Sequence, residues 1–330
     1  MLNQIDHMKT KFLPLFLFAI ALLGCSVKKN KQVVNLDKRE LIKGIRTLSH
    51  DSLEGRNFAS EGNKKGQLYL ANRFRSYGIQ PLFEGDYIQS FPELLQGQAR
   101  QRIFPVENPA EDFSNVPDTL VYGGNVLAVI QGISTDMIVI SAHHDHLGIQ
   151  NGEIYNGADD DASGAAALPV IAHYFKDKKP KHTLIFAEFD AEEKGSYGAK
   201  YFLNNFPEAM GSIKLNVNLD MVSRNDKQEL YACGTSHYPY LKAPIENLIS
   251  PVKLIFGHDD PANEAEDWTG SSDHRIFHNK GIPFVYFGVE DHEDYHTPRD
   301  DFEHIDQVFY IDAVKLIIEA IDRYDKNLSE

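Results

Sequence analysis

Five short polar clusters in this chain carry the residue types that bind metal ions. They are Ser141-Ala142-His143-His144-Asp145-His146, Asn156-Gly157-Ala158-Asp159-Asp160-Asp161-Ala162-Ser163-Gly164, Phe189-Asp190-Ala191-Glu192-Glu193-Lys194-Gly195, Asn218-Leu219-Asp220-Met221 and Tyr295-His296-Thr297-Pro298. Imidazole nitrogens and carboxylate oxygens make a ligand set suited to zinc, and less exclusively to manganese or cobalt. A carboxylate can bridge two ions. Three carboxylates balance all but one unit of the charge on two divalent ions, and a bound hydroxide balances the rest. The adjacent acids Glu192 and Glu193 can divide the labour, one ligating metal and the other shuttling a proton.

These clusters need a scaffold that brings them together across more than half the chain. From Asn125 onward, strand-like apolar runs at 126–130, 137–142, 183–189, 214–219, 229–232, 252–256 and 283–287 alternate with helical stretches at 162–175, 197–204, 239–248, 273–279 and 306–324. Such alternation predicts an α/β fold with a mixed, largely parallel sheet flanked by helices on both faces. Near-continuous apolar strands fit a buried, parallel centre. In open α/β sheets, sites form beyond the carboxyl ends of the strands, and four of the clusters follow or end a predicted strand while the Asp run opens a helix. Earlier in the chain, helices are predicted over 37–48 and 62–77, with short strands at 86–91 and 119–122. The Gln-, Pro- and Glu-rich stretch 92–117 reads as an excursion between those strands.

The 330 residues carry a net charge of −15, which repels nucleic acid phosphates and argues against a nucleic-acid partner. Lys9 and Lys11 precede an apolar run, 12–23, that is shorter than the roughly 20 residues of a membrane span. Its length matches a signal-peptide core. It ends in Leu22-Leu23-Gly24-Cys25, which resembles a bacterial lipobox. That resemblance implies cleavage before Cys25, lipidation of its thiol and export to the bacterial cell envelope with a membrane anchor. The expected organisation is a signal peptide over 1–24, the lipidated Cys25 and a tether over 25–36, and a single catalytic domain over 37–330. Cys233 is then alone, as two cysteines make no disulfide framework, and it reads as a buried apolar residue.

Taken together, His143-x-Asp145, the 157–164 run, Glu192-Glu193-x-Gly195, Leu219-Asp220-Met221, Ser272-Asp273-His274 and Tyr295-His296-Thr297-Pro298 resemble the M28 family of zinc-dependent aminopeptidases. Leu53-Glu54-Gly55-Arg56 resembles the usual lead-in, so the likeness runs from about Ser49 to Asp306. The resemblance implies a zinc exopeptidase-like three-layer sandwich holding two zinc ions. It implies that His143 and Asp220 hold one ion, Glu193 and His296 the other, and that Asp159 bridges them through a turn with a cis peptide to Asp160. Glu192 becomes the general base for a metal-activated water, and Asp145 orients His143 by accepting its other ring proton. Substrates are then peptides with a free N-terminus. His144 and His146 are expected outside the ligand set, with His146 lining the cleft. Ser272, Asp273 and His274 are expected to support the site, and Trp268 and Tyr295 to contribute to a substrate pocket. Three other functions share these letters: a glutaminyl cyclase with one zinc, a carboxypeptidase using Arg224 or Arg275 as a carboxylate clamp, and a non-catalytic binding lipoprotein.

Overall fold

In a computed structural model, the described residues are 34–97, 100, 117–260, 262 and 266–329. The expected signal peptide, Cys25 and most of the expected tether lie outside them, as does much of the expected 92–117 excursion. In chain order the strands are β1 (Gln80–Pro81), β2 (Ile88–Leu95), β3 (Thr119–Ile130), β4 (Met137–His143), β5 (Gly148–Gln150), β6 (Glu153–Tyr155), β7 (Thr183–Phe189), β8 (Ile213–Leu219), β9 (Glu229–Cys233), β10 (Lys253–Phe256) and β11 (Phe284–Gly288). The main helices are α1 (Lys38–Leu48), α2 (Glu61–Ser76), α3 (Ala162–Phe175), α4 (Tyr197–Asn204), α5 (His274–Asn279) and α6 (Gln307–Asn327). Among the described residues no helix is long and apolar enough to cross a membrane.

The main sheet runs β1-β3-β7-β4-β8-β11-β9-β10, with β2 also paired to β3. Its centre, β7-β4-β8-β11, is parallel, while β3 and β9 join it antiparallel. This is the mixed, largely parallel sheet expected. Strand periodicity of two sorts side chains to opposite faces. Ile138, Ile140 and Ala142 face the layer of α1, α2, α3 and α6. Met137 and Val139 face the layer of α4 and α5, where Phe202 and Phe277 pack. The two layers bury both faces, so the four parallel strands all point their carboxyl ends at one rim.

The expectations for two elements need correction. The predicted strands 119–122 and 126–130 are one twelve-residue strand, β3, because Gly123 and Gly124 continue the pairing with β2. At each glycine a Cβ would lie within 3 Å of a neighbouring side chain, Phe91 and Phe58 at Gly123 and Gln67 at Gly124, so these positions keep the ladder only without a side chain. The predicted helix 239–248 is a short 3₁₀ turn, Pro239–Leu241, followed by further turns. Pro244 lacks the N–H a helix needs and crowds the preceding turn.

Helix α3 carries the load of the site. Its sequence, Ala-Ser-Gly-Ala-Ala-Ala-Leu, is small enough for nearly the whole helix to be buried between the sheet and α1. Asp161 caps it by accepting from the Gly164 amide at 2.8 Å. Tyr310 of α6 donates its hydroxyl to the Ser163 carbonyl at 2.6 Å, pinning the first turn from the far side. A Cβ on Gly164 would sit 2.7 Å from both Asp161 carboxylate oxygens and from the Leu219 carbonyl. Gly164→Ala is therefore expected to cost about 1–3 kcal/mol of stability, the range for overpacking a tight core. Urea denaturation of the two proteins measures it; unchanged stability would show that the turn has room to give.

Candidate metal centre

The carboxyl ends of the parallel strands deliver the site. β4 ends at His143, β8 is followed directly by Asp220, and the segment after β7 carries Glu192 and Glu193. The loop after β11 returns to the rim with Tyr295 and His296. Non-glycine residues with left-handed backbone cluster here: Ala191 before Glu192, Met221 after Asp220, and His296 itself. Each such residue costs on the order of 1–3 kcal/mol, and strain of this kind collects where geometry serves a site.

Asp160 stands between the two imidazoles. Its Oδ1 lies 3.2 Å from His143 Nε2, and its Oδ2 lies 2.9 Å from His296 Nε2. Asp220 Oδ1 is 3.6 Å from His143 Nε2, and Glu193 Oε1 is 3.8 Å from His296 Nε2. His143, Asp220, Glu193 and His296 thus come together as expected. Asp159 does not take the bridging position. Its Oδ1 is occupied by the Ser223 amide at 2.7 Å and the Ser223 hydroxyl at 2.8 Å, and its Oδ2 faces His292 Nε2 at 3.3 Å. The cis peptide is likewise one residue further on, between Asp160 and Asp161. In a run of three Asp, composition cannot choose among them. The choice is made by the helix cap: Asp161 is committed to α3, so the residue before it faces the cleft.

Asp145 also differs in detail. The ring nitrogen Nδ1 of His143 lies 3.1 Å from the Asp145 main-chain carbonyl, while the nearest carboxylate oxygen is 3.7 Å away. The carboxylate accepts from the amides of Glu192 at 2.9 Å and Glu193 at 3.3 Å. Asp145 therefore holds His143 through its backbone and the Glu192-Glu193 pair through its side chain.

Asp300, which sequence reasoning passed over, and several residues it marked only as supporting or within a motif fix this arrangement. Asp300 accepts from the consecutive amides of Asp159 and Asp160, at 2.8 Å and 3.0 Å. Arg56 is fully buried and donates to the carbonyls of Leu48, His144, Asn156 and Gly157, so it ties the His143 loop to the Asp160 loop. Burial lowers its pKa to about 10, partly offset by Asp300, Asp145, Asp160 and Asp161 around it. Only the Leu53-Glu54-Gly55-Arg56 motif hinted at this; nothing marked Asp300. Ser272 accepts from Asn218, which in turn accepts from Ser141, cross-linking β4, β8 and the start of α5. His274 bonds the Trp268 carbonyl at 2.9 Å. His144 turns away from the site to the Gly124 carbonyl, and burial lowers its pKa to about 4.

A cavity of about 600 Å³ opens onto these groups. Its wall includes Glu192, Glu193, Asp220, Trp268, Tyr286, Tyr295 and Arg275, whereas His146 lies buried behind it and does not line the cleft. Arg275 Nη2 is 3.6 Å from Glu192 Oε1 and 2.9 Å from the Ser196 hydroxyl. Arg224, the other expected clamp, is engaged by the buried carboxylate of Asp294. Burial pushes the Glu192 carboxyl well above its ordinary range, with Asp273, Glu193 and Asp220 adding to the shift against His143. Burial lowers His143, but Asp220, Asp145 and Asp160 outweigh it and raise its pKa well above the usual value.

This chemistry fits divalent metal. Among the described residues, Glu193 Oε1 and both ring nitrogens of His146 are buried without a hydrogen-bond partner. Orphaned polar atoms of this kind cost free energy unless something binds them. Two groups of donors converge, His143 with Asp161 and Asp220, and His146 with Asp160 and Glu193.

Comparison with known proteins agrees. The model of peptidase family M28 matches residues 125–321. The chain belongs to that family. A vacuolar membrane protease of Schizosaccharomyces pombe is 28% identical over 197 residues, covering 57% of this chain and 22% of its own length. Thus the shared region is only a small part of that relative. The solved structure of a zinc aminopeptidase from Bacillus subtilis superposes with a TM-score of 0.67 at 18% identity, covering 91% of this chain and 97% of that one. A glutaminyl cyclase from Porphyromonas gingivalis does so with a TM-score of 0.62 at 19% identity, covering 88% and 98%. At these identities the structures share the M28 peptidase fold.

Asp300 presents its carboxylate to the two amides of Asp159 and Asp160, so its loss should loosen the Asp160 carboxylate without removing a candidate ligand. Asp300→Ala is expected to weaken metal retention about 10- to 100-fold, the usual cost of an outer partner. Chelator competition on the purified protein measures this; unaltered retention would remove Asp300 from the site.

Proposed function

We propose that this M28 peptidase is a dinuclear metallo-aminopeptidase in which Asp160 bridges, His143 and Asp220 flank one side, Glu193 and His296 flank the other, and Glu192 is the general base. The observation that carries this reading is the Asp160 carboxylate lying between His143 and His296, with unligated Glu192 in the same cavity wall. Bound zinc, or manganese or cobalt in its place, would supply Lewis acidity and a water acidified to a pKa of about 7.

The chain's own residues do the rest. Glu192 accepts the proton of the attacking water and returns it to the leaving amine. Asp145 holds the Glu192 amide, so the base keeps its distance from His143. Trp268, Tyr286 and Tyr295 give the cavity an apolar wall for a substrate side chain. Asp267, Asp291, Glu193 and Asp220 make it acidic, which suits the ammonium of a peptide N-terminus. Arg275 is the cation in that wall, and its place beside Glu192 supports an electrostatic partner of the base more than a clamp for a C-terminal carboxylate.

The test uses a panel of amino-acid p-nitroanilides with and without chelator. Release of p-nitroaniline that chelator abolishes and zinc or cobalt restores is the expected result. No hydrolysis after reconstitution would count against an aminopeptidase. Ring closure of Gln-peptides without release of a residue would assign a glutaminyl cyclase instead. Glu192→Gln should keep its metal yet lose turnover by about 100- to 10,000-fold, the usual worth of a general base. Full activity in that variant would remove Glu192 from the role.

We further infer, from Lys9, Lys11, the apolar run and Leu22-Leu23-Gly24-Cys25, that the chain is an exported lipoprotein anchored through Cys25. Metabolic labelling with a palmitate analogue in a bacterial host should mark the wild type and not Cys25→Ser. Equal labelling of both would refute the anchor.

A further inference from the structure

We propose that His146 is a fourth protein ligand of the ion held by Asp160, Glu193 and His296, which makes the two metal positions chemically unequal. The proposal rests on the dinuclear reading above and adds a residue that reading does not use.

His146 follows β4 by three residues and is fully buried. Its Nδ1 lies 2.8 Å from Glu193 Oε1 and 3.7 Å from Asp160 Oδ2. At 2.8 Å a hydrogen bond would be ordinary, yet neither His146 nitrogen nor Glu193 Oε1 has a hydrogen-bond partner among the described residues. Distance is therefore not what prevents the bond; direction is. The ring nitrogen and the carboxylate oxygen are close but not aligned as donor and acceptor. Orphaned nitrogens on a buried imidazole cost free energy, and an ion at Nδ1 would satisfy one of them.

The ligand atoms of His146, Asp160 and Glu193 all lie within 4.8 Å of one another, close enough to meet on one ion. Donors at about 2.0–2.1 Å from zinc lie roughly 3.3 Å from one another. Around the proposed ion the His146 to Glu193 and His146 to Asp160 separations are 2.8 Å and 3.7 Å. His296 Nε2 lies 2.9 Å from Asp160 Oδ2 and 3.8 Å from Glu193 Oε1. These four separations bracket that value. The rings of His146 and His296 are 5.8 Å apart at 60°, a separation two imidazoles on one ion can adopt.

Beside His143 and Asp220 the further candidate is Asp161, but its oxygens are taken by the amides of His143, Gly164 and Met221, so that group has no orphaned donor among the described residues. The Nε2 of His143 meets Asp160 and Asp220, and its Nδ1 is taken by the Asp145 carbonyl. One position thus has four protein donors and the other has three. A site closed by four protein ligands is of the structural kind, whereas three ligands leave a place for water or substrate. The ion beside His143 and Asp220 is then the exchangeable, open one, and the ion beside His146 is retained.

The experiment uses the full-length protein stripped with chelator and titrated with cobalt(II) and zinc. Wild type should bind one ion tightly and a second more weakly. His146→Gln should weaken the tight class by more than the roughly 100-fold that loss of an outer partner can cost, and leave the weak class unchanged. His146→Cys loaded with cobalt(II) should show a thiolate-to-cobalt charge-transfer band in the near ultraviolet that wild type lacks. X-ray absorption at the zinc edge of the wild type, which needs no variant to fold, should count three imidazoles for two zinc ions rather than two.

A count of two imidazoles, a folded His146→Cys without the band, or a tight class weakened less than about 10-fold in His146→Gln would overturn the proposal while leaving the dinuclear site standing. Failure of the wild type to bind two ions would overturn both.

Discussion

The structure depends on one carboxylate, that of Asp160, held in the interior between two imidazoles. Asp160, Asp161 and Asp220 are all buried. Burial penalises each ionised form, and like charges at short range add to the penalty. His146, His143 and His296 outweigh burial at Asp160 and keep its pKa well below the ordinary range. At Asp161 and Asp220 burial wins and the pKa rises. An arrangement that strains its acids in this way is one that gains most from taking up multivalent cations.

The fold accommodates this strain with backbone contacts more than with side-chain pairs. Asp300 and Asp145 each grip two consecutive amides, and Asp161 grips the amides of His143 and Gly164. Arg56 satisfies four carbonyls from inside the protein. Carboxylates that accept from backbone N–H groups fix chain geometry whatever the neighbouring side chains are. That accounts for how a chain at 18% identity can share the fold of the Bacillus subtilis enzyme over 91% of its length. The contacts that set the loops are made to main-chain atoms, which every sequence has.

Reactivity then depends on what is left free. Glu193 turns inward to the imidazoles, while Glu192 turns to the cavity beside Arg275 and Ser196. Two neighbouring acids of the same type thus end in different surroundings because the strand end and the left-handed Ala191 rotate them apart. The aromatic wall is ordered in the same indirect manner. Trp268 stacks on His258 with ring centroids 3.7 Å apart, and its carbonyl is held by His274, which itself packs on Tyr286.

The order of the five polar clusters, their place at strand ends and the alternation that makes a parallel sheet are all legible in the chain, because strand periodicity and helix caps are local properties. His143, Glu193, Asp220 and His296 follow from that order. So does the family likeness. Other features were decided only in three dimensions. Which Asp of 159–161 faces the imidazoles depends on which one α3 takes as its cap and on the grip of Asp300 from 140 residues away. Whether Asp145 holds His143 by side chain or backbone, and whether His146 faces the cleft or the interior, depends on the direction of a loop anchored by Arg56. Local sequence specifies which atoms can bind a metal. The long-range packing of loops against one buried guanidinium and one distant carboxylate specifies which of them point at it.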